Sequence, residues 1–188
     1  MEEKDIPEVL DIYNDIILTS KAVYRYDIQT LDEKMRWYKE QQAFGNPLLV
    51  FVENGIVAGF ATYSQFRPYP GYQYTMEHSV YVHNEHYQKG IATKHKLIAI
   101  AEERGVKTLV AGIDGENIAS IKVHEKLGFE YAGTIKNAGY KFEQWLDLVF
   151  YQLHLNGPTS SKGYDKCHTL FMMFASVTDL YSCFMMRS

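Results

Sequence analysis

The sequence predicts a single α/β domain in which helices flank a mixed, mostly antiparallel central sheet, followed by a short C-terminal extension. Three observations carry this. Apolar residues recur at helical spacing between Asp5 and Tyr38. A strand-like run built around an Asn54-Gly55 turn takes over at Leu48, and one strand–helix–strand crossover separates that hairpin from a closing pair of strands. With 188 residues, 46% of them hydrophobic, the chain can bury the core of one such domain.

The first helix runs from Asp5 to Leu18, with Ile6, Val9, Leu10, Tyr13, Ile16 and Ile17 near helical spacing and Pro7 tolerated in the opening turn. A second helix starts at Thr30, where Thr30 and Glu33 form a capping-box pattern, and stops at Gly45-Asn46-Pro47. Leu48 to Val52 and Ile56 to Phe66 then read as an antiparallel hairpin. After the turn-rich Arg67 to Gly71, Tyr74 to Val82 is another strand. Helical spacing returns from Ala92 to Arg104 and is stopped by Gly105, before a short buried strand from Thr108 to Ile113. Ile118 to Leu127 is a short helix ended by Gly128; Phe129 to Ile135 and Trp145 to Leu155 close the domain as strands. The domain is expected over 1–155. Beyond it, a polar Thr159 to Gly163 linker leads into an apolar, methionine-rich run from Leu170 to Met186.

A net charge of −4 and a pI near 6.0 argue against a nucleic-acid partner, since a phosphate backbone needs a surplus of Lys and Arg. Cys167 and Cys183 both lie in the extension and no leader pattern precedes the first helix, so the expectation is a cytoplasmic protein without a disulfide framework. The terminal apolar run is shorter than the roughly 20 residues that span a bilayer, and no membrane association is expected. It could equally cover a sheet edge, pack between two copies, lie on a membrane surface, or stem from a shifted reading frame.

The chemistry concentrates in two places. TMEHSVYV (Thr75 to Val82) leads through a glycine-containing loop into a helix opening with QKGIAT (Gln88 to Thr93). The first N–H groups of a helix have no intrahelical partner and sit at the positive end of its dipole. Gln88, Lys89, Gly90, Ile91, Ala92 and Thr93 therefore form a candidate diphosphate cradle, with an ordinary strand-to-helix turn as the alternative. In NIASIKVHEKLGF (Asn117 to Phe129), Asn117, Ser120 and His124 recur on one helix face. His78, His83 and His86 are close in sequence, but His78 and His83 fall on opposite strand faces, so no metal site is expected.

Together these clusters resemble the GNAT superfamily of N-acetyltransferases, whose loop is written [QR]-x-x-G-x-[GA] and whose later helix is N-x-x-[AS]-x-x-x-[YH]-x-x-x-G-[FY]. The likeness is closest to the phosphinothricin-acetyltransferase-like branch, through Glu77 to Val82, His124 to Phe129, and Ala138-Gly139-Tyr140-Lys141 with Trp145 and Asp147. It covers about Asp5 to Leu155. The resemblance implies the acyl-CoA N-acyltransferase fold and acetyl transfer from acetyl-CoA to the primary amine of a small molecule, an amino acid or amino-acid analogue, in a ternary complex. It implies no metal and no covalent enzyme intermediate, and a homodimer.

An alkylammonium, with a pKa near 10, must lose a proton before it attacks, and the branch's glutamate falls on Glu77. The backbone of Val80, Tyr81 and Val82 is expected to bond the pantetheine arm as an added strand would. His124 is the candidate acid for the departing CoA thiolate, and Asn117 and Ser120 are candidate CoA contacts. Tyr24-Arg25 matches the branch's F-R pair, with Arg25 a candidate for a substrate carboxylate. Tyr69 and Tyr74, with Tyr72 and Tyr26, suit an aromatic substrate mouth.

Three features depart from the branch. Its opening I-R-x-A strand is missing, and Tyr69 stands where phosphinothricin-specific members carry arginine. The tail has no counterpart. A CoA-binding module without transfer activity and a peptide N-terminal acetyltransferase are the competing readings.

Overall fold

The second helix shows how local chemistry sets the boundaries. Thr30 Oγ1 accepts the Glu33 N–H at 3.3 Å, the Glu33 carboxylate accepts the Thr30 N–H at 2.7 Å, and helix α2 runs from Leu31 to Ala43 behind this box. The computed structural model describes residues 1–83 and 90–158, the side chains of 90–94 excepted. Helix α1 spans Ile6–Thr19, and the hairpin pairs β1 (Leu48–Glu53) with β2 (Ile56–Gln65). Its turn places both Asn54 and Gly55 at positive φ, 51° and 84°. Then come β3 (Thr75–Val82), α3 (Gly90–Glu103), β4 (Thr108–Asp114), α4 (Ile118–Lys126), β5 (Glu130–Lys141) and β6 (Gln144–His154).

The six strands lie in the order β1-β2-β3-β4-β6-β5, every neighbouring pair antiparallel except β3 with β4. The predicted mixed, mostly antiparallel sheet is what forms. Strand alternation divides the core in two. Val9, Ile12, Ile16 and Ile17 of α1 cover one face with Phe60 and, part-buried, Tyr81; Leu97 and Ala101 of α3 cover the other with Ala61, Tyr63, Leu109 and Phe129. Glu77, Ser79 and Tyr81 thus share the α1 face. Met76, His78 and Val80 share the α3–α4 face.

The feature that positions the site is a gap in the sheet. β3 and β4 pair at three positions only, Thr75 with Thr108, Met76 with Leu109 and Glu77 with Val110. Beyond Glu77, β3 stays with β2 as far as Val82 and β4 stays with β6 as far as Asp114, but no pair joins 78–82 to 111–114. The two strands therefore diverge into a wedge whose apex is Glu77.

One element differs from the sequence expectation by more than two residues. Strand β5 continues to Lys141 rather than ending at Ile135. Between Ile135 and Gly139 it advances four residues while β6 advances two, with Asn137 at φ 50°, so the alternation that marks a strand is interrupted by a bulge. Asp147 holds that bulge through the Asn137 N–H at 2.9 Å and the Lys136 ammonium at 2.6 Å. The short helix and its neighbours are shifted by no more than a residue or two.

At the opposite sheet edge, β1 has β2 as its strand neighbour among the described residues, and the Met1 ammonium donates to the Leu48 carbonyl at 3.1 Å. A cavity of about 500 Å³ lined by Met1, Glu8, Val50 and Val57 lies there, on the far side of β2 from Glu77. No described helix is long and apolar enough to cross a membrane. Most of the extension, 159–188, lies outside the described residues.

Candidate active site

Glu77 leaves the sheet on the α1 face at the last paired position of β3 and β4. Two residues beyond its β4 partner Val110 is the bare Cα of Gly112, where a Cβ would stand 3.2 Å from Glu77 Oε1, 3.6 Å from Leu148 and 3.7 Å from Phe150. The absence of a side chain at Gly112 gives the carboxylate its place between the strands. Phe150 carries the wall on through Phe66, at 6.4 Å between ring centroids, to Tyr72 at 6.0 Å from Phe66.

The segment after α1 brings Tyr24 and Arg25 over the same face. It is fastened by the motif Ala138 to Lys141, to which the sequence reading gave no role. The Lys141 ammonium, 3% exposed, donates to the carbonyls of Ile17, Ser20 and Val23 at 2.6, 2.7 and 2.7 Å. Gly139 receives the Tyr24 ring, since a Cβ there would come within 2.4 Å of it; the Tyr26 hydroxyl donates to the Tyr140 carbonyl. Tyr24 donates from its hydroxyl to the Asp147 carbonyl at 3.2 Å. Burial, with the charges of Asp114 and Asp147, pushes the Tyr24 phenol up to about 12, so it stays a neutral donor.

A second lysine that sequence reasoning missed lies nearby. Lys34 on α2 is 3% exposed, its ammonium 3.7 Å from the centre of the Tyr13 ring, 4.6 Å from Trp37 and 5.4 Å from Phe60. Burial, and the positive charge of Arg25 close by, lower its pKa to about 7. Its signal in the sequence was slight: Lys34 precedes Trp37 and Tyr38 by three and four residues, on the inward face of the helix.

On the other face of the sheet, His124 is buried on α4. Its ring stacks on that of His78 at 5.2 Å, and both rings meet Phe129. His124 Nδ1 lies 2.7 Å from the Ser120 carbonyl, an acceptor only, so Nδ1 carries the hydrogen and Nε2 of the neutral ring is an acceptor. Asn117 caps α4, its side-chain carbonyl accepting the Ser120 N–H at 3.0 Å, and the Ser120 hydroxyl lies 3.4 Å from His124 Nδ1.

Gly90 opens α3, so Gly90, Ile91, Ala92 and Thr93 form its first turn, where N–H groups lack intrahelical acceptors. Gln88 and Lys89 lie outside the described residues, as does His86. Tyr74 is half-buried at the entry to β3, its carbonyl accepting the N–H groups of Lys107 and Thr108. Tyr69 is 65% exposed in the preceding loop, held by its carbonyl, which accepts from Gln65 at 2.7 Å. The geometry thus sets Tyr24 against Gly139 and Asp147 and Arg25 within reach of the Glu33 and Lys34 charges, and leaves the Tyr69 ring in solvent. Among the described residues no three His, Cys, Asp or Glu side chains converge as a metal site would require.

A sheet split at one parallel pair, with a helix N-terminus following the split strand and a carboxylate at the apex, is the arrangement of an acyl-CoA-dependent transferase. The chain matches the acetyltransferase (GNAT) domain over residues 1–150 and belongs to that family. Within it the chain falls in the phosphinothricin-acetyltransferase-like branch. It is 40% identical over 157 residues to a Salmonella typhimurium L-methionine sulfoximine/L-methionine sulfone acetyltransferase, covering 82% of this chain and 92% of the relative. The crystal structure of an N-acetyltransferase from Staphylococcus aureus Mu50 is 51% identical, with a TM-score of 0.80 over 82% of this chain and 94% of the other. That of a phosphinothricin acetyltransferase from Sinorhizobium meliloti in complex with acetyl-CoA is 30% identical, with a TM-score of 0.83 over 91% and 95%. The protein is an acetyl-CoA-dependent N-acetyltransferase.

Proposed function

We propose that this enzyme acetylates the primary amine of an amino acid or amino-acid analogue of the methionine sulfoximine or phosphinothricin kind, by direct attack on acetyl-CoA in a ternary complex, with Glu77 as the base. The observation that carries the reading is the wedge between β3 and β4 with a carboxylate at its apex. The name of the Salmonella relative supports the substrate class.

Acetyl-CoA fits the chain from two sides. Past Glu77, the β3 backbone at Val80, Tyr81 and Val82 faces a gap rather than a strand, which suits the pantetheine amides. The N-terminal turn of α3, Gly90 to Thr93, with Gln88 and Lys89 before it, suits the diphosphate. Asn117 and Ser120 line the approach along α4.

The amine enters from the α1 face, between Tyr24 and Arg25 and the loop bearing Tyr69 and Tyr74. Glu77 takes its proton directly or through a water, and the freed lone pair attacks the thioester carbonyl. His124 serves the departing thiolate as a proton donor in its imidazolium form. The Nδ1–H bond to Ser120 leaves Nε2 of the neutral ring without a proton to give.

The enzyme works in the cytoplasm as a homodimer. The exposed aromatic end of β5 and β6, where Tyr140 and Trp145 meet at 5.1 Å and Phe142 stands at the turn, suits a second copy.

The test is CoA thiol release with acetyl-CoA and a panel of amines: methionine sulfoximine, methionine sulfone, phosphinothricin, free amino acids, polyamines, aminoglycosides and a short peptide. Release with the amino-acid analogues, lost in Glu77→Gln while acetyl-CoA binding persists, is the expected result. Release with the peptide alone would move the substrate to a protein terminus. No release, with acetyl-CoA still raising Tm, would leave a binding module.

A further inference from the structure

The outer edge of β1 is apolar on both faces of the sheet. The Met1 ammonium reaches the Leu48 carbonyl from outside, so the peptide groups of Leu48 and, two residues on, Val50 point away from β2. Among the described residues no strand pairs with them. Leu49 packs against the core under α3 and Val50 against the core under α1, while Val52 and Ile56 are 51% and 64% exposed. The cavity of about 500 Å³ along Val50, Val52 and Val57 lies beside this edge. At the bulge between Phe51 and Val52 the ladder opens further, and Glu8 accepts the Val57 N–H at 2.7 Å. An apolar edge with outward peptide groups is a template for another strand, and folded proteins cover such edges.

The path of the chain says what covers it. After β6 the Leu155 N–H bonds to the Lys107 carbonyl at 2.9 Å, and the Pro158 Cα lies 3.4 Å from where Gly105 would carry a Cβ. Next to Gly105, Arg104 donates to the Gly45 carbonyl at 2.6 Å, just ahead of the start of β1 at Leu48. The chain therefore leaves the domain at the end of the sheet where β1 begins. From β6 across β4, β3 and β2 to β1 is about 19 Å, and residues 159–169 drawn out reach about 35 Å. Next in the sequence comes Leu170-Phe171-Met172-Met173-Phe174-Ala175-Ser176-Val177, free of charge, Gly and Pro. Its apolar residues do not alternate, the pattern of a strand covered on both faces, as a neighbour of β1 would be.

We propose that residues 170–177 add to the outer edge of β1 as a seventh strand, within the same chain. Tethering favours this over pairing with a second copy, because a short linker holds the segment at an effective concentration of about a millimolar. The inference stands apart from the choice of acceptor amine.

The experiment is amide hydrogen exchange resolved by NMR, on the full chain of wild type, Met172→Pro, Met173→Pro and Phe171→Asp. In wild type, Leu48 and Val50 are expected to be protected. Neighbouring residues of a strand turn their N–H groups to opposite sides, and proline removes one. Only one of the two proline variants should therefore speed exchange at Leu48 and Val50, by roughly 10-fold, the worth of about one hydrogen bond. Unprotected Leu48 and Val50 in wild type overturn the proposal, as do two proline variants that behave alike, since apolar cover without strand pairing cannot tell adjacent residues apart. Protection that grows with protein concentration would give the edge to a second copy and overturn it too. If neither proline variant accumulates, Phe171→Asp carries the comparison: exchange at Leu48 and Val50 as slow as in wild type would reject the segment as the cover.

Discussion

The carboxylate of Glu77 lies over the Cα of Gly112, so close that a Cβ there would stand 3.2 Å from Oε1. With Leu148 and Phe150 on its other sides, that methyl has no free direction to take, and Gly112→Ala should displace the carboxylate rather than the strand. Turnover is expected to drop by about 10-fold with acetyl-CoA affinity kept, against a loss of about 10²- to 10⁴-fold for Glu77→Gln. Steady-state kinetics with isothermal titration of acetyl-CoA would check this, and an unimpaired Gly112→Ala enzyme would remove Glu77's placement from the argument.

Gly139 and Tyr24 are closer still, a built Cβ coming within 2.4 Å of the ring. Gly139→Ala must push Tyr24 off β5 and with it the segment that carries Arg25. The expected cost is about 1–3 kcal/mol of stability. KM for the amine should rise more than KM for acetyl-CoA, and a uniform loss of both would count against a role for this segment on the substrate side.

Lys141 closes the carbonyl end of α1. Replacing it by Met removes the donor from three carbonyls at once and is expected to destabilise the fold by about 2–4 kcal/mol in urea denaturation. A midpoint equal to that of wild type would mean that water replaces the ammonium without loss.

Lys34 predicts an unusual pH dependence of stability. Its pKa falls from 10.5 to about 7 on folding, so the unfolded chain binds the proton more tightly. The penalty is full below pH 7 and fades as the pH rises toward 10.5, so this group's contribution makes the fold more stable with increasing pH across that window. At neutral pH and below, Lys34→Met is expected to be more stable than wild type by roughly 3–5 kcal/mol, an upper range, with the difference shrinking toward pH 10. Thermal melts of both proteins at several pH values test it. A difference that does not narrow would place the proton elsewhere.

Tyr140, Phe142 and Trp145 expose 46%, 48% and 65% of their surface at one end of the sheet. If two copies meet there, Trp145→Ser should convert a dimer into a monomer in sedimentation velocity. A wild type that is monomeric at every concentration would reject the interface.

The element order was legible because the helices and strands differ in local period, and the capping box at Thr30 and the turn at Asn54-Gly55 mark boundaries by chemistry between near neighbours. The far half of β5 was not. The bulge at Asn137 breaks the two-residue alternation, and what repairs it, Asp147, lies on the partner strand. His124 shows the same limit: its spacing from Asn117 and Ser120 placed it on a helix face, but only its bond to the Ser120 carbonyl fixes which nitrogen carries the hydrogen.

By itself the sequence determined the class of chemistry and the order of the parts, because a strand, a glycine loop and a helix start are made by residues adjacent along the chain. The tertiary structure decided where the charges went. Lys34 and Lys141 look alike as letters in the sequence, and both could have been solvated. Packing α1 and α2 onto the sheet set one against three carbonyls and the other inside aromatic walls near the wedge, since burial depends on what the fold brings from far away in the chain.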